Sequence, residues 1–129
     1  MRWVLRSKIH KATVTGADVS YVGSIAIDKN LIEKTGLWIG EKVLVVSNTS
    51  GARLETYVIA SPRDSGVITM NGAAAHLIKS GEEIIIMGFE LSDKPIKPTS
   101  ILLDKNNCFV RFLSPQEDHL SAEEIIQSF

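Results

Sequence analysis

Val, Ile, Leu and Thr fall in short runs along the chain, and the residues between the runs are Gly, Asn, Asp and Pro. Short apolar and β-branched runs bounded by turn formers are the pattern of strands. This reading predicts strands over 3–10, 20–28, 42–47, 53–60, 66–70, 82–89, 100–104 and 108–112. Asn48-Thr49-Ser50-Gly51 reads as a hairpin turn, with Gly51 supplying a positive φ, and Lys105-Asn106-Asn107 reads as a second turn. Two short helices interrupt the strands. One follows Asp28 as N-cap and stops near Gly36; the other spans about Ala73 to Lys79 and stops at Gly81. A third is predicted in the tail from Ser121, which has capping-box spacing to Glu124, and the two-proline stretch Asp93 to Pro98 is a loop.

Residues 27–46 laid over 68–87 repeat the pattern at an offset of 41. Ile27 meets Ile68, Asn30 meets Asn71, Leu37 meets Ile78, and Gly40-Glu41 with its apolar run meets Gly81-Glu82 with another. Each half reads strand, short helix, Gly-Glu turn, strand. Two units are too few for a solenoid. They can close on each other as a mainly β, pseudo-two-fold barrel, which removes exposed edges. The alternative is that Gly-Glu before an apolar strand is ordinary turn chemistry.

Composition narrows the function. The 129 residues are 44% hydrophobic and 22% charged, the balance of a globular chain. Fourteen Lys+Arg against fifteen Asp+Glu argue against a phosphate-dominated nucleic-acid binder. Cys108 is the only cysteine, so neither an intramolecular disulfide nor a cysteine-based zinc site can form. No apolar run is long enough for a spanning helix, and charges stand where a signal peptide needs an apolar stretch. The expectation is a soluble protein of the cytoplasm. No metal, nucleotide or flavin motif is present.

Candidate chemistry lies at four places. Lys8 and His10 share one strand face, as charges guarding a solvated edge or as an anion and proton site. Tyr21-Val22-Gly23-Ser24 holds a glycine inside a strand pattern, where a strained backbone can bring a serine hydroxyl near the preceding carbonyl; a plain bulge is the alternative. Arg53 and Tyr57 share a face, a carboxylate partner and a possible general acid, with Thr56 on the other face unless a bulge intervenes. An acidic cross-strand neighbour for Arg53 is the structural alternative. Asn71-Gly72-Ala73-Ala74-Ala75 leaves backbone N–H groups open to an anion, or allows a close helix contact. His76 reads as a surface or partly buried helical residue, His119 sits in the polar tail, and Trp3 and Trp38 read as packing residues.

Taken together, these segments resemble bacterial aspartate 1-decarboxylases. The resemblance rests on Lys8-Ile9-His10-Lys11-Ala12-Thr13-Val14-Thr15, Ala17-Asp18 and Tyr21-Val22-Gly23-Ser24-Ile25. Two further blocks carry it: Gly51-Ala52-Arg53-Leu54-Glu55-Thr56-Tyr57, and Gly66-Val67-Ile68 followed by Asn71-Gly72-Ala73-Ala74-Ala75. It covers about residues 1–90, with Lys11 and Ala26 as small departures; the stretch 113–129 reads as a variable tail.

The resemblance implies a double-psi β-barrel and a homotetramer whose active sites lie between subunits, with Lys8, His10 and Arg53 in a shared cleft. It implies a single-domain proenzyme in which Ser24 attacks the Gly23 carbonyl, an ester forms and eliminates, and a pyruvoyl group is left on residue 24. Chains 1–23 and 24–129 then stay together. The pyruvoyl group, replacing pyridoxal phosphate and needing no metal, forms a Schiff base with L-aspartate and accepts the electrons released with CO2. Tyr57 reprotonates the carbon and Arg53 with Lys8 grips a carboxylate. Thr56 and Gly72-Ala73-Ala74 line the pocket; His10, Tyr21 and Asn71 support it. Thr56 and Tyr57 in one site call for a bulge or for two subunits. The product is β-alanine, for pantothenate and coenzyme A. Whether a maturation factor assists is open. Two alternatives stand beside this reading: a dimeric DNA-binding barrel, and the same chemistry on glutamate.

Overall fold

The structure, a computed structural model, describes residues 1–114. Its strands are β1 (Arg2–Thr13), β2 (Gly16–Asp18), β3 (Ser24–Asp28), β4 (Lys42–Ser47), β5 (Arg53–Ser61), β6 (Ile68–Asn71), β7 (Glu83–Ser92), β8 (Thr99–Leu103) and β9 (Phe109–Phe112). Helix α1 (Lys29–Thr35) follows β3, and a 3₁₀ helix (Gly72–His76) follows β6. The predicted tail helix from Ser121 and His119 lie outside the described residues.

The strands form a ring. β1 pairs with β7, β7 with β4 and β4 with β5, all antiparallel. β5 then runs parallel to β3, and β3 antiparallel to β6. β6 pairs in parallel with β2, the continuation of β1, so the chain itself closes the circle. Val14 N–H donates to the Glu82 carbonyl (2.9 Å) and Thr15 N–H to that of Ile68 (2.8 Å), sealing the joint. β8 joins β1 in parallel and carries β9 as a hairpin outside the ring.

The 41-residue repeat is structural. Ile27 pairs with Ile68 and Val45 with Ile86, so each residue stands opposite its own repeat equivalent. Self-pairing in both ladders is the signature of a two-fold axis through the barrel. All four side chains are fully buried there, each contributing about 1.5–3 kcal/mol of transfer free energy. The turns repeat as well. Glu41 accepts from Trp38 N–H (2.9 Å) and from Arg6, while Glu82 accepts from Lys79 N–H (2.5 Å) and Ser47 Oγ (2.6 Å). Trp38 and Lys79, like Arg6 and Ser47, are again 41 apart. Gly40 and Gly81 have φ of 86° and 92°, and each N–H donates across the barrel over 2.7 Å, to Val58 and Val14. The Gly-Glu turn is therefore a copied unit, beyond common turn chemistry. Each half sends a strand, β2 or β5, parallel against a strand of the other half, which makes a double-psi β-barrel.

Several expectations are corrected. The strand over 20–28 begins only at Ser24, because residues 19–23 form a turn before the ladder to β6. The helix over 73–79 is a short 3₁₀ helix, Gly72–His76, whose N-cap residue Asn71 makes no side-chain cap bond and instead donates Nδ2 to Ser24 Oγ. β2, three residues long, carries no periodic signal. Trp3 and Trp38 are not packed within the chain; they are 70% and 76% exposed. Lys8 and His10 do not guard an edge, since β1 is paired on both sides there, with β7 and β8. Asp28 caps α1 through Asn30 N–H, and Gly36 ends it in the left-handed conformation, as predicted.

Candidate active site

Ser24 is the first residue of β3 and its side chain is 1% exposed. A buried hydroxyl needs partners, and it has two. Oγ donates to the Val22 carbonyl and accepts from Asn71 Nδ2, both at 3.0 Å. Asn71 is itself buried and stands directly opposite Ser24 in the β3–β6 ladder. Beyond Asn71, Gly72 adopts a φ of +70° and its α-carbon lies against the Gly23 backbone. Ser24, Gly23, Asn71 and Gly72 are thus brought together by one ladder end.

Gly23 differs from expectation. Its φ is outside the left-handed region, and a Cβ there would meet nothing within 4 Å. Strain at Gly23 is therefore not what the fold demands; an unshielded carbonyl is what a missing side chain provides. Tyr21 and Val22, at 55% and 71% exposed, stand out in solvent.

The β4–β5 ladder runs from Lys42 opposite Tyr57 to Val46 opposite Arg53 without a register shift. The bulge proposed between Thr56 and Tyr57 is absent. Plain alternation puts Arg53, Glu55 and Tyr57 on the outer face and half-buried Thr56 on the inner one, beside core residue Val58. The β3–β5 ladder begins at Ile25 beside Val58, so Ser24 and Tyr57 each immediately precede its first pair. The acidic cross-strand partner considered for Arg53 is not found in the ladder, where Arg53 stands opposite Val46.

Lys8 and His10 are not with this group. They are half-buried on β1, alternate with core residue Ile9, and lie three strand positions from β5 around the ring. Ala73 is exposed, Ala74 half-buried and His76 exposed. A separate outer groove of about 560 Å3 is lined by Trp3, Glu41, Lys42, Val43, Leu44, Glu55 and Phe89. Sequence reading missed the Val22 carbonyl as partner to Ser24, and no side-chain pattern can mark a backbone acceptor. Among the described residues no group of three or more His, Cys, Asp or Glu could hold a metal ion, and no helix is long and apolar enough to cross a membrane.

Comparison with known proteins identifies the family of the chain. The family model "Aspartate decarboxylase" matches residues 1–110. An aspartate 1-decarboxylase of Clostridium botulinum is 51% identical over 108 residues, covering 81% of this chain and 87% of its own. One from Neisseria meningitidis is 44% identical over 122 residues, covering 92% and 96%. Among solved structures, the rationally designed mkDPBB_sym1 protein aligns with a TM-score of 0.45 at 16% identity, over 67% of this chain and 99% of its own. With a family match spanning most of the chain and relatives at this identity, the chain belongs to the aspartate decarboxylase family.

Proposed function

We propose that this chain decarboxylates L-aspartate to β-alanine and CO2, after cutting itself between Gly23 and Ser24, and that it works as a homotetramer in the cytoplasm. Decarboxylation of aspartate, a lyase reaction that supplies β-alanine for pantothenate, follows from the family. The single observation that carries the self-cutting is the Ser24 hydroxyl, buried and held by Asn71 at the edge of an open turn.

The residues fit the formation of a pyruvoyl group. Ser24 Oγ bonds to the Gly23 carbonyl carbon as the C–N bond breaks, and the hydroxyl proton ends on the Ser24 amine. The Asn71 amide can stabilise the oxygen as it loses its proton. Elimination across Cα–Cβ leaves Gly23 as a carboxylate, and water then displaces ammonia to leave the ketone. The cut ends can part because residues 19–23 lie in a turn. Residues 1–23 stay bound through the β1–β7, β1–β8 and β2–β6 ladders.

A ketone at residue 24 would supply an electrophile for the substrate amine and a sink for the electron pair released with CO2. Tyr57 then delivers a proton to carbon, and Arg53 orients a carboxylate through charge-assisted bonds. With the ladder unbroken, Thr56 lies on the inner face of β5 and Arg53 and Tyr57 on its outer face, while Lys8 and His10 stand three strand positions away on β1. That division supports a site completed between copies, Thr56, Asn71 and Gly72-Ala73-Ala74 coming from one wall and outward residues from a neighbour. Exposed Trp3 beside the outer groove is apolar surface that an assembly would cover. Intact-mass analysis with an assay of CO2 from aspartate and glutamate tests the reading. Fragments 1–23 and 24–129 with faster turnover of aspartate are expected; an uncut, inactive chain, even with added lysate, would overturn it.

A further inference from the structure

Resting on that reading, we infer that Gly72 is a positioning residue for the self-cutting step: it lacks a side chain so that the Gly23 backbone can be held against it with the scissile bond beside Ser24 Oγ. A Cβ built on Gly72 would lie 2.6 Å from Gly23 Cα, 2.9 Å from Gly23 N and 3.3 Å from the Tyr21 carbonyl. The first two are contacts that packed atoms do not make, and both fall on backbone, which cannot swing aside as a side chain does. The displaced atoms belong to the residue whose carbonyl is attacked.

Ser24 Oγ is anchored from the β6 side by Asn71, the residue before Gly72. Gly23 is approached by Gly72 on the same side, while a Cβ on Gly23 would meet open space. One dipeptide, Asn71-Gly72, therefore sets both reacting partners: Asn71 fixes the nucleophilic oxygen and Gly72 fixes the peptide it attacks. Pushing Gly23 outward by a Cβ separates the two while leaving the barrel ladders in place.

A substitution at Gly72 also carries the cost of a left-handed φ, and the molecule supplies the control. Gly36 has nearly the same φ, +74° against +70°, but a Cβ there meets nothing within 4 Å. It ends α1, away from Ser24. Gly72→Ala and Gly36→Ala thus share the backbone penalty and differ in the contact with Gly23. Cutting is followed as the appearance of fragment 24–129 during cell-free synthesis, with the thermal midpoint of each purified chain measured alongside. Wild type and Gly36→Ala should cut at similar rates. Gly72→Ala should fold with a midpoint close to that of Gly36→Ala and cut about a hundredfold more slowly, the scale set by a displacement of about 1 Å. Equal cutting by Gly72→Ala and Gly36→Ala would overturn the inference. So would a Gly72→Ala chain that fails to fold beside a folded Gly36→Ala, since the contact would then serve folding. A wild-type chain that never yields fragments would remove the underlying reading instead.

Discussion

The two loops that lead into β3 and β6 occupy equivalent positions in the repeat, and they are built in opposite ways. The loop before β6 is stapled. The buried Asp28 carboxylate accepts from the N–H groups of Asn30, Asp64 and Gly66 at 2.9–3.0 Å. Asn107 ties Gly66 to Thr13 through three further bonds at 2.8 Å, and Arg63 meets Glu33 with both terminal guanidinium nitrogens. The loop before β3 has Ser24 where the other has Ser65, again 41 apart, but it leaves Tyr21 and Val22 in solvent. Its contacts with the opposite strand end are the Asn71–Ser24 bond and the glycine-to-glycine approach. A barrel of two like halves needs only that both loops connect. One half spends its loop on stability, and the other leaves its loop open, as the proposed cutting between Gly23 and Ser24 requires.

The largest effect that can break this comparison is at the paired serines. Ser24→Ala should abolish cutting and decarboxylation while the chain folds, and Ser65→Ala should leave both intact; intact mass and CO2 release decide. Loss of cutting in the Ser65 variant would mean that the loops are not functionally distinct. Next, Tyr57→Phe should cut normally but turn over about 10²–10⁴-fold more slowly, the usual contribution of a positioned proton donor. Undiminished turnover would remove Tyr57 from that role.

Asp28→Ala tests the stapled loop. Losing the cap and orphaning the loop N–H groups should cost about 2–4 kcal/mol in denaturant unfolding, with cutting retained. An unchanged midpoint would show that the staple carries little. The smallest effect concerns Glu82, whose carboxyl is held below its ordinary value of 4.5 by the Ser47 hydroxyl first and the Lys79 N–H second. Its stabilising share is complete above pH 4.5 and drains away as pH falls through the lower folded value. Glu82→Gln should therefore narrow the gap between neutral and acidic stability; an unaltered acid limb in thermal melts would exclude the contribution.

Much of the fold was legible because local chemistry and pattern agreed. The apolar runs became strands, Asp28 and Gly36 capped α1, and the 41-residue offset emerged as ladder self-pairing. The candidate site was legible only through motif resemblance. Periodicity alone read Lys8 and His10 as edge residues, although β8, some ninety positions away in sequence, covers that edge. It also read Gly23 as a strained position, when the glycine that packing demands at this corner is Gly72.

What the sequence by itself determined was what each segment can be. The alternation assigned Arg53 and Tyr57 to one face and Thr56 to the other, and the repeat assigned two halves to one barrel. What only the tertiary structure decided was which segments meet: Asn71 on Ser24, Gly72 on Gly23, and Asp28 on the loop of the other half. The reason is physical. Propensity and alternation act over a few residues. A hydrogen bond between positions 47 apart, or a glycine with no room for a Cβ against another glycine's backbone, exists only after the chain has closed on itself.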